Sequence, residues 1–182
     1  MYKTISNKII REFKPCYDPS KFITDENEEL PIKDWVQKYR NVIPATDIVW
    51  LLLRKEFLSV KDLRLFVVWC ARELFKSIEN PDERIVEACN VAERYANGEA
   101  TKEELHTAYD VATYHIYYTA STDANIAAQV ATADVAYYVS ADAYATAYIV
   151  TLAFHDTVSR ADDDAYDATR ASQLDHLLTY FE

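Results

Sequence analysis

One glycine and five prolines are all that this chain of 182 residues contains. Tight hairpins, phosphate-cradling loops and dinucleotide fingerprints all require glycine, where the backbone turns sharply or lies close to a ligand. Most sheet architectures and nucleotide folds are therefore disfavoured, and an all-α fold is the expectation. Cysteine is scarce too: Cys16, Cys70 and Cys89 are an odd set with no short spacing. They do not frame a disulfide scaffold. Cys70 and Cys89 fall on the apolar stripes of expected helices, where a free thiol behaves as a small hydrophobe. A reduced, cytoplasmic protein fits that usage. Residues 1–11 mix charge with an isolated Ile9-Ile10 pair and lack the apolar core of a signal peptide. Long apolar runs are missing as well. Residues 48–53 and 65–71 are too short to cross a bilayer, and 135–154 carries Asp142 and several hydroxyls.

Positive charge is in short supply, with 19 Lys and Arg against 30 Asp and Glu and a formal net charge of −11. Such a surface repels phosphate backbones and anionic membranes, so neither nucleic acid nor membrane is an expected partner. A partner with a basic surface is the natural complement, although solubility alone also explains an acidic protein. With 50% hydrophobic residues the chain is no disordered segment and can close a core.

All five prolines lie in the first 81 residues, and they divide the chain. Residues 1–33 hold Pro15, Pro19, Pro31 and an acidic run, and read as an irregular N-terminal arm with a strand pair within 3–13. Residues 34–182 read as one all-helical domain, a bundle of about seven or eight helices. Asp34 is placed to cap a short helix to Tyr39, Pro44 stops it, and a second runs from Thr46 to Phe57. Ser59 opens a third, whose Leu63, Phe66, Val67, Cys70, Leu74 and Ile78 recur at spacings of three and four. Asn80-Pro81 opens a fourth, burying Ile85, Ala88, Cys89, Ala92 and Tyr95, and Gly98 ends it as a left-handed C-terminal residue. Thr101 and Glu104 form a capping box for a fifth helix, with Leu105, Ala108, Tyr109, Ala112 and Ile116 on its stripe.

Residues 99–182 hold neither glycine nor proline. In 121–158, Ile126, Val130, Ala133, Tyr137, Ala141, Tyr144, Tyr148 and Leu152 recur at spacings close to an eleven-residue repeat. One unbroken helix over 123–154 would be about 50 Å long, so a break at 140–142 is expected. A last helix, about 159–181, buries Leu174, Leu177, Leu178 and Phe181.

No nucleophile sits on a sharp turn beside a base, so no catalytic residues are assigned and an enzyme is not the expectation. His106, His115, His155 and His176 are scattered, with Asp110 and His115 five apart as the nearest pairing considered. Asp162–Asp164 is better read as compensating a helix dipole than as a metal cluster, so neither metal nor cofactor is expected. Trp69, Arg72 and Lys76 lie with Leu65 off the main stripe of the third helix. A central helix explains them, and so does a binding surface. Fourteen tyrosines, among them Tyr109, Tyr137 and Tyr144, either pack between alanine-rich helices or line a pocket.

Residues 47–75, DIVWLLLRKEFLSVKDLRLFVVWCARELF, followed by NPDERIVEACNVAERYANGEAT at 80–101, resemble the immunity protein family of bacterial toxin–immunity loci and phage genomes. That resemblance covers about residues 34–182, with alanine-rich helices following and a leucine-bearing helix at 171–181. It implies a binding protein that neutralises a toxin or a host defence protein. The other reading is a sequestering protein whose Tyr-rich helical pocket holds a small nucleotide-type signal. Under either reading the candidate binding residues are Trp69, Arg72, Lys76, Tyr109, Tyr137 and Tyr144. A homo-oligomer is open under either.

Overall fold

In a computed structural model of the chain, residues 1–76, 81–119 and 163–181 are described. The alanine- and tyrosine-rich stretch 121–158, with Tyr137, Tyr144 and the expected break at 140–142, lies outside them, as do Ile78 and Asn80. The chain divides into two units, one of Met1–Ser59 with Asp167–Glu182 and the other of Val60–Tyr166.

In the first unit, Ile5 is fully buried between the partly exposed Thr4 and Ser6, the period of two that marks a strand. This strand, β1 (Thr4–Ser6), pairs antiparallel with β2 (Glu29–Pro31), setting Ile5 opposite Leu30. The Ser6 hydroxyl accepts the Ile9 amide at 3.4 Å and caps α1 (Asn7–Glu12), which buries Ile9 and Ile10. Asp18 caps a short 3-10 turn, Pro19–Lys21, through the Ser20 amide. Asn7, wholly buried, donates from Nδ2 to the Ile23 carbonyl at 2.9 Å and ties this turn back onto α1. Arg11 fixes the same loop from outside, bonding Asp18 at 3.0 Å and both oxygens of Glu26 at 2.7 and 2.8 Å.

Two expectations are corrected by these elements. Residues 1–33 are not an irregular arm, because a buried amide and the Arg11 ion pairs hold them as a strand, a helix and a turn. The strand pair joins β1 to the distant β2, while most of 3–13 is helical. Among the described residues the protein is therefore mostly helical with one small two-stranded sheet, and not purely all-α. The expected boundary after residue 33 also does not coincide with the unit boundary at Ser59, since α2 (Ile32–Tyr39) packs on both strands.

Pro31 precedes α2 without a side-chain cap, and Asp34 sits inside its first turn. Trp35 and Val36 fill the core, and Trp35 lies tilted against Tyr39 at 5.3 Å. Pro44 begins α3 (Ala45–Leu52), which stops five residues short of the expected Phe57. The cause is local. Leu53 takes φ −75° and ψ 59°, an inverse γ-turn, and the Arg54 amide reaches the Leu52 carbonyl at 2.8 Å. Phe57 is thereby turned inward, 5.7 Å from Phe13 and 5.5 Å from Tyr2. The C-terminal helix, α7 (Asp163–Leu177), buries Leu174 and Leu177, and its Asp175 accepts from Arg40 of α2 at 2.8 Å. Arg170 and Gln173 are buried on α7, the guanidinium donating to Gln173 Oε1 at 2.8 Å.

The second unit is built from apolar stripes. In α4 (Val60–Phe75), Leu63, Phe66, Val67 and Cys70 are buried as their spacing requires, and Val68 and Ala71 widen the buried face. Next comes α5 (Glu83–Asn97). It starts two residues after Pro81, because Asp82 is the cap, accepting the Arg84 amide at 2.9 Å. Ile85, Ala88, Cys89 and Ala92 are buried as expected. Val91 and Ala96 join them, whereas Tyr95 is only half-buried under the Arg64 guanidinium at 4.8 Å.

Gly98, at φ 78°, closes α5. Its amide donates to the Tyr95 carbonyl at 3.0 Å and that of Glu99 to Arg94 at 2.8 Å, the paired bonds of a Schellman motif. Thr101 and Glu104 then exchange bonds of 2.7 and 3.1 Å, a reciprocal capping box that opens α6 (Lys102–Thr119). The two stops and starts lie within seven positions, so α6 folds back along α5, and α5 packs on α4 as well. Seven α-helices in all stand among the described residues. None of them is long and apolar enough to cross a membrane.

Candidate interaction surface

On α4, residues three and four apart share a face; Leu65, Trp69 and Arg72 form one, and Lys76 follows in the turn just past the helix end. Trp69 is half-buried, with its indole laid over the Phe66 ring at 5.9 Å and 24°. Phe66 is fully buried, so the indole rests on a fixed platform. Arg72 reaches across to α5, where its guanidinium donates to Asn90 Oδ1 at 3.1 Å and to Glu93 at 2.5 Å. Both partners of this ion pair keep two-fifths or more of their side chains exposed, 40% and 46%. Lys76 is well exposed and is held by Glu73 one turn back, at 2.6 and 2.8 Å. Trp69 and Arg72 thus share one helix face with Lys76 just beyond it, the indole seated on Phe66 and the two cations held by carboxylates. Tyr109 is half-buried on a different helix, α6.

Below Arg72, Cys89 is almost wholly buried. Burial pushes its thiol up to about 12, with Glu93 adding to the rise and Arg72 opposing it. A thiol held in that state stays protonated at neutral pH and packs as a hydrophobe. Cys70 is equally buried, Cys16 is exposed, and none of the three forms a disulfide.

Between α5 and α6 runs a groove with a cavity volume of about 470 Å³. Val91, Ala108 and Val111 line its floor, and Arg84, Glu87, Arg94, Glu103 and Glu104 stand around it. Arg84 folds onto its own cap, donating to both oxygens of Asp82 at 2.9 and 2.6 Å. Arg94 faces Glu104 at 3.8 Å. The Glu104 carboxylate is held below its ordinary range, mainly by the Thr101 amide and hydroxyl of the capping box. The sequence reading missed this groove. Its signal was Val111, an apolar residue outside the stripe of Leu105, Ala108 and Ala112, and 50% exposed.

A second oversight is His106, which lies four residues from Asp110 and meets it at 3.1 Å on the exposed face of α6. In the first unit, the Arg54 guanidinium lies over Trp50 at 4.2 Å and over Phe13 at 4.6 Å, a stacking that spacing alone did not announce. Among the described residues no three His, Cys, Asp or Glu side chains gather as metal ligands would.

Comparison with protein-family models, with curated proteins and with solved structures finds no match to this chain.

Proposed function

We propose that this chain is a non-enzymatic binding protein of the immunity or phage counter-defence kind, which neutralises a toxin or a defence protein by occupying its surface. The observation that carries the reading is the Trp69–Arg72 pair. An indole seated on the buried Phe66 and a guanidinium pinned by Glu93 and Asn90 lose little freedom on binding. Tryptophan and arginine are the residue types that most often dominate protein interfaces. The net charge of −11 favours a basic partner and steers its approach. The likeness of residues 47–75 and 80–101 to the immunity family points the same way. A cytoplasmic site of action goes with the reading, since its targets would be met there.

The same pair supports a second reading, because an indole can stack a base while a guanidinium holds a phosphate. Native mass spectrometry of the protein purified from toxin-expressing or phage-infected cells separates the two. A co-purified protein selects the inhibitor, and a small retained mass selects the sequestering protein. Against the partner so found, Arg72→Ala is expected to weaken binding by more than about 1 kcal/mol with the helical circular dichroism intact. Unchanged affinity in a folded variant removes Arg72 from the site. An affinity loss that only tracks a lowered melting temperature assigns it to the Glu93 ion pair.

A further inference from the structure

We infer that the groove between α5 and α6 docks a basic segment of a protein partner, an aliphatic side chain flanked by lysine or arginine. The inference rests on the chain being a protein-binding domain, but it concerns a surface other than that of Trp69 and Arg72. Its floor is apolar and open: Val91, Ala108 and Val111 line it, and Val111 is half exposed to water. Covering such a floor with an aliphatic side chain removes apolar area from water on both partners.

The rim decides the sign of the occupant. Arg84 is turned back onto Asp82, and Arg94 faces Glu104. Glu87 and Glu103 then remain as exposed carboxylates with no counter-cation among the described residues. Glu87 accepts the Asn90 side-chain amide at 3.0 Å, and that neutral donor leaves its charge in place. An acidic peptide would bring charge against charge here, and so would a second copy of a chain carrying −11. Lysine or arginine stems can lie along the valines while their heads meet Glu87 and Glu103, which satisfies floor and rim together.

The test is an NMR titration of the isotopically labelled full chain with a short peptide of alternating lysine and leucine. Its glutamate–leucine counterpart and an oligolysine of equal charge serve as controls. Saturable shifts are expected at Val91, Ala108 and Val111, weakening as salt is raised. The oligolysine is expected to bind more weakly than the mixed peptide, because it leaves the floor wet. Replacing both rim carboxylates, Glu87→Gln with Glu103→Gln, keeps the acceptor toward Asn90 and is expected to lower affinity roughly three- to tenfold. Val111→Lys places a cation on the floor and is expected to abolish saturation.

Equal binding of the glutamate–leucine peptide overturns the inference. So does unchanged affinity in the glutamine pair, or shifts confined to residues outside α5 and α6. Self-association that shifts the groove amides without peptide also overturns it, in favour of a second copy. An Arg72→Ala variant that loses its own partner should still titrate here, so failure of the Trp69–Arg72 reading and failure of this one give different results.

Discussion

Each of the two units holds its own elements together by a different mix of contacts. In Met1–Ser59 with Asp167–Glu182, an apolar core that includes Ile5, Trp35, Leu52 and Leu174 is laced by polar ties between separate segments: Asn7 to the Ile23 carbonyl, Arg11 to Asp18 and Glu26, Glu28 to Lys38 and Tyr39, Arg40 to Asp175. In Val60–Tyr166 the described joints are chiefly apolar stripes and caps that act within a few residues of themselves, with Arg72 to Asn90 and Glu93 and Arg94 to Glu104 as the polar ties between helices. Short elements explain the contrast. A three-residue strand or six-residue helix cannot bury enough apolar surface to stand by itself, so its backbone and loops must be tied by side chains. Helices of fifteen residues or more, such as α4, α5 and α6, carry a whole stripe each.

The largest effect that sharpens this contrast is expected from Phe66→Ala. Phe66 is fully buried and supports Trp69, so the loss should be roughly 3–5 kcal/mol of unfolding free energy. Urea unfolding followed by Trp fluorescence reads it. A loss below about 1 kcal/mol, at the scale of a surface change, would mean that the second unit does not depend on its apolar stripe.

Asn7→Ala comes next. Removing the amide strands the Ile23 carbonyl in the core, at an expected cost of about 1–3 kcal/mol. The partial compensation is that Asn7 Oδ1, itself buried without a hydrogen-bond partner, is removed too. Denaturant melts should place this variant between wild type and Phe66→Ala. If it is neutral, the polar ties add little to the first unit's apolar core, and the contrast between the units fails.

The smallest expected effect is that of acid. Asp18 is held below its ordinary pKa mainly by the Ser20 amide, Glu26 by Arg11, and Glu28 by Lys38 with Tyr39. A carboxylate whose folded pKa is depressed binds fewer protons when folded than when unfolded. Its stabilising contribution is complete above the unfolded pKa and fades as pH falls through the folded value. The loss should therefore begin near the ordinary glutamate value of 4.5 and continue below the aspartate value of 3.8. All three groups lie in the first unit, whereas Glu104 is the depressed carboxylate resolved in the described part of the second. Amide exchange measured from pH 5 down to pH 3 should show α1 and the 18–28 loop opening before α5. Simultaneous opening of both would remove the distinction.

Legibility followed the same line. The Schellman end at Gly98 and the Thr101–Glu104 capping box were readable residue by residue, because a cap needs only its own few neighbours. So were the described stripes of α4 and α5, Tyr95 excepted, down to the burial of Cys70 and Cys89. The inverse γ-turn that cuts α3 short was not readable, since residues 53–57 carry neither glycine nor proline to mark a stop. Phe57 leaves the helix to reach Phe13 and Tyr2, which are more than forty positions away in the chain. In the candidate site, Trp69, Arg72 and Lys76 stood out as large side chains off the stripe. Their anchors Asn90, Glu93 and Glu73, and the groove beside Val111, did not.

Where α4, α5 and α6 begin and turn their apolar sides, and where α5 ends, is decided by spacing and capping within a few residues. Near-absence of glycine and proline was therefore enough to make this chain mostly helical. The pairing of β1 with β2 and the Asn7 and Arg11 ties depend on residues that meet only after the chain has folded back. The platform under Trp69 is of mixed origin, since Phe66 and Trp69 are neighbours on one helix. What holds Arg72 across to α5, and what lays Val91 beside Val111 in one groove, is helix-on-helix packing, which no local signal encodes.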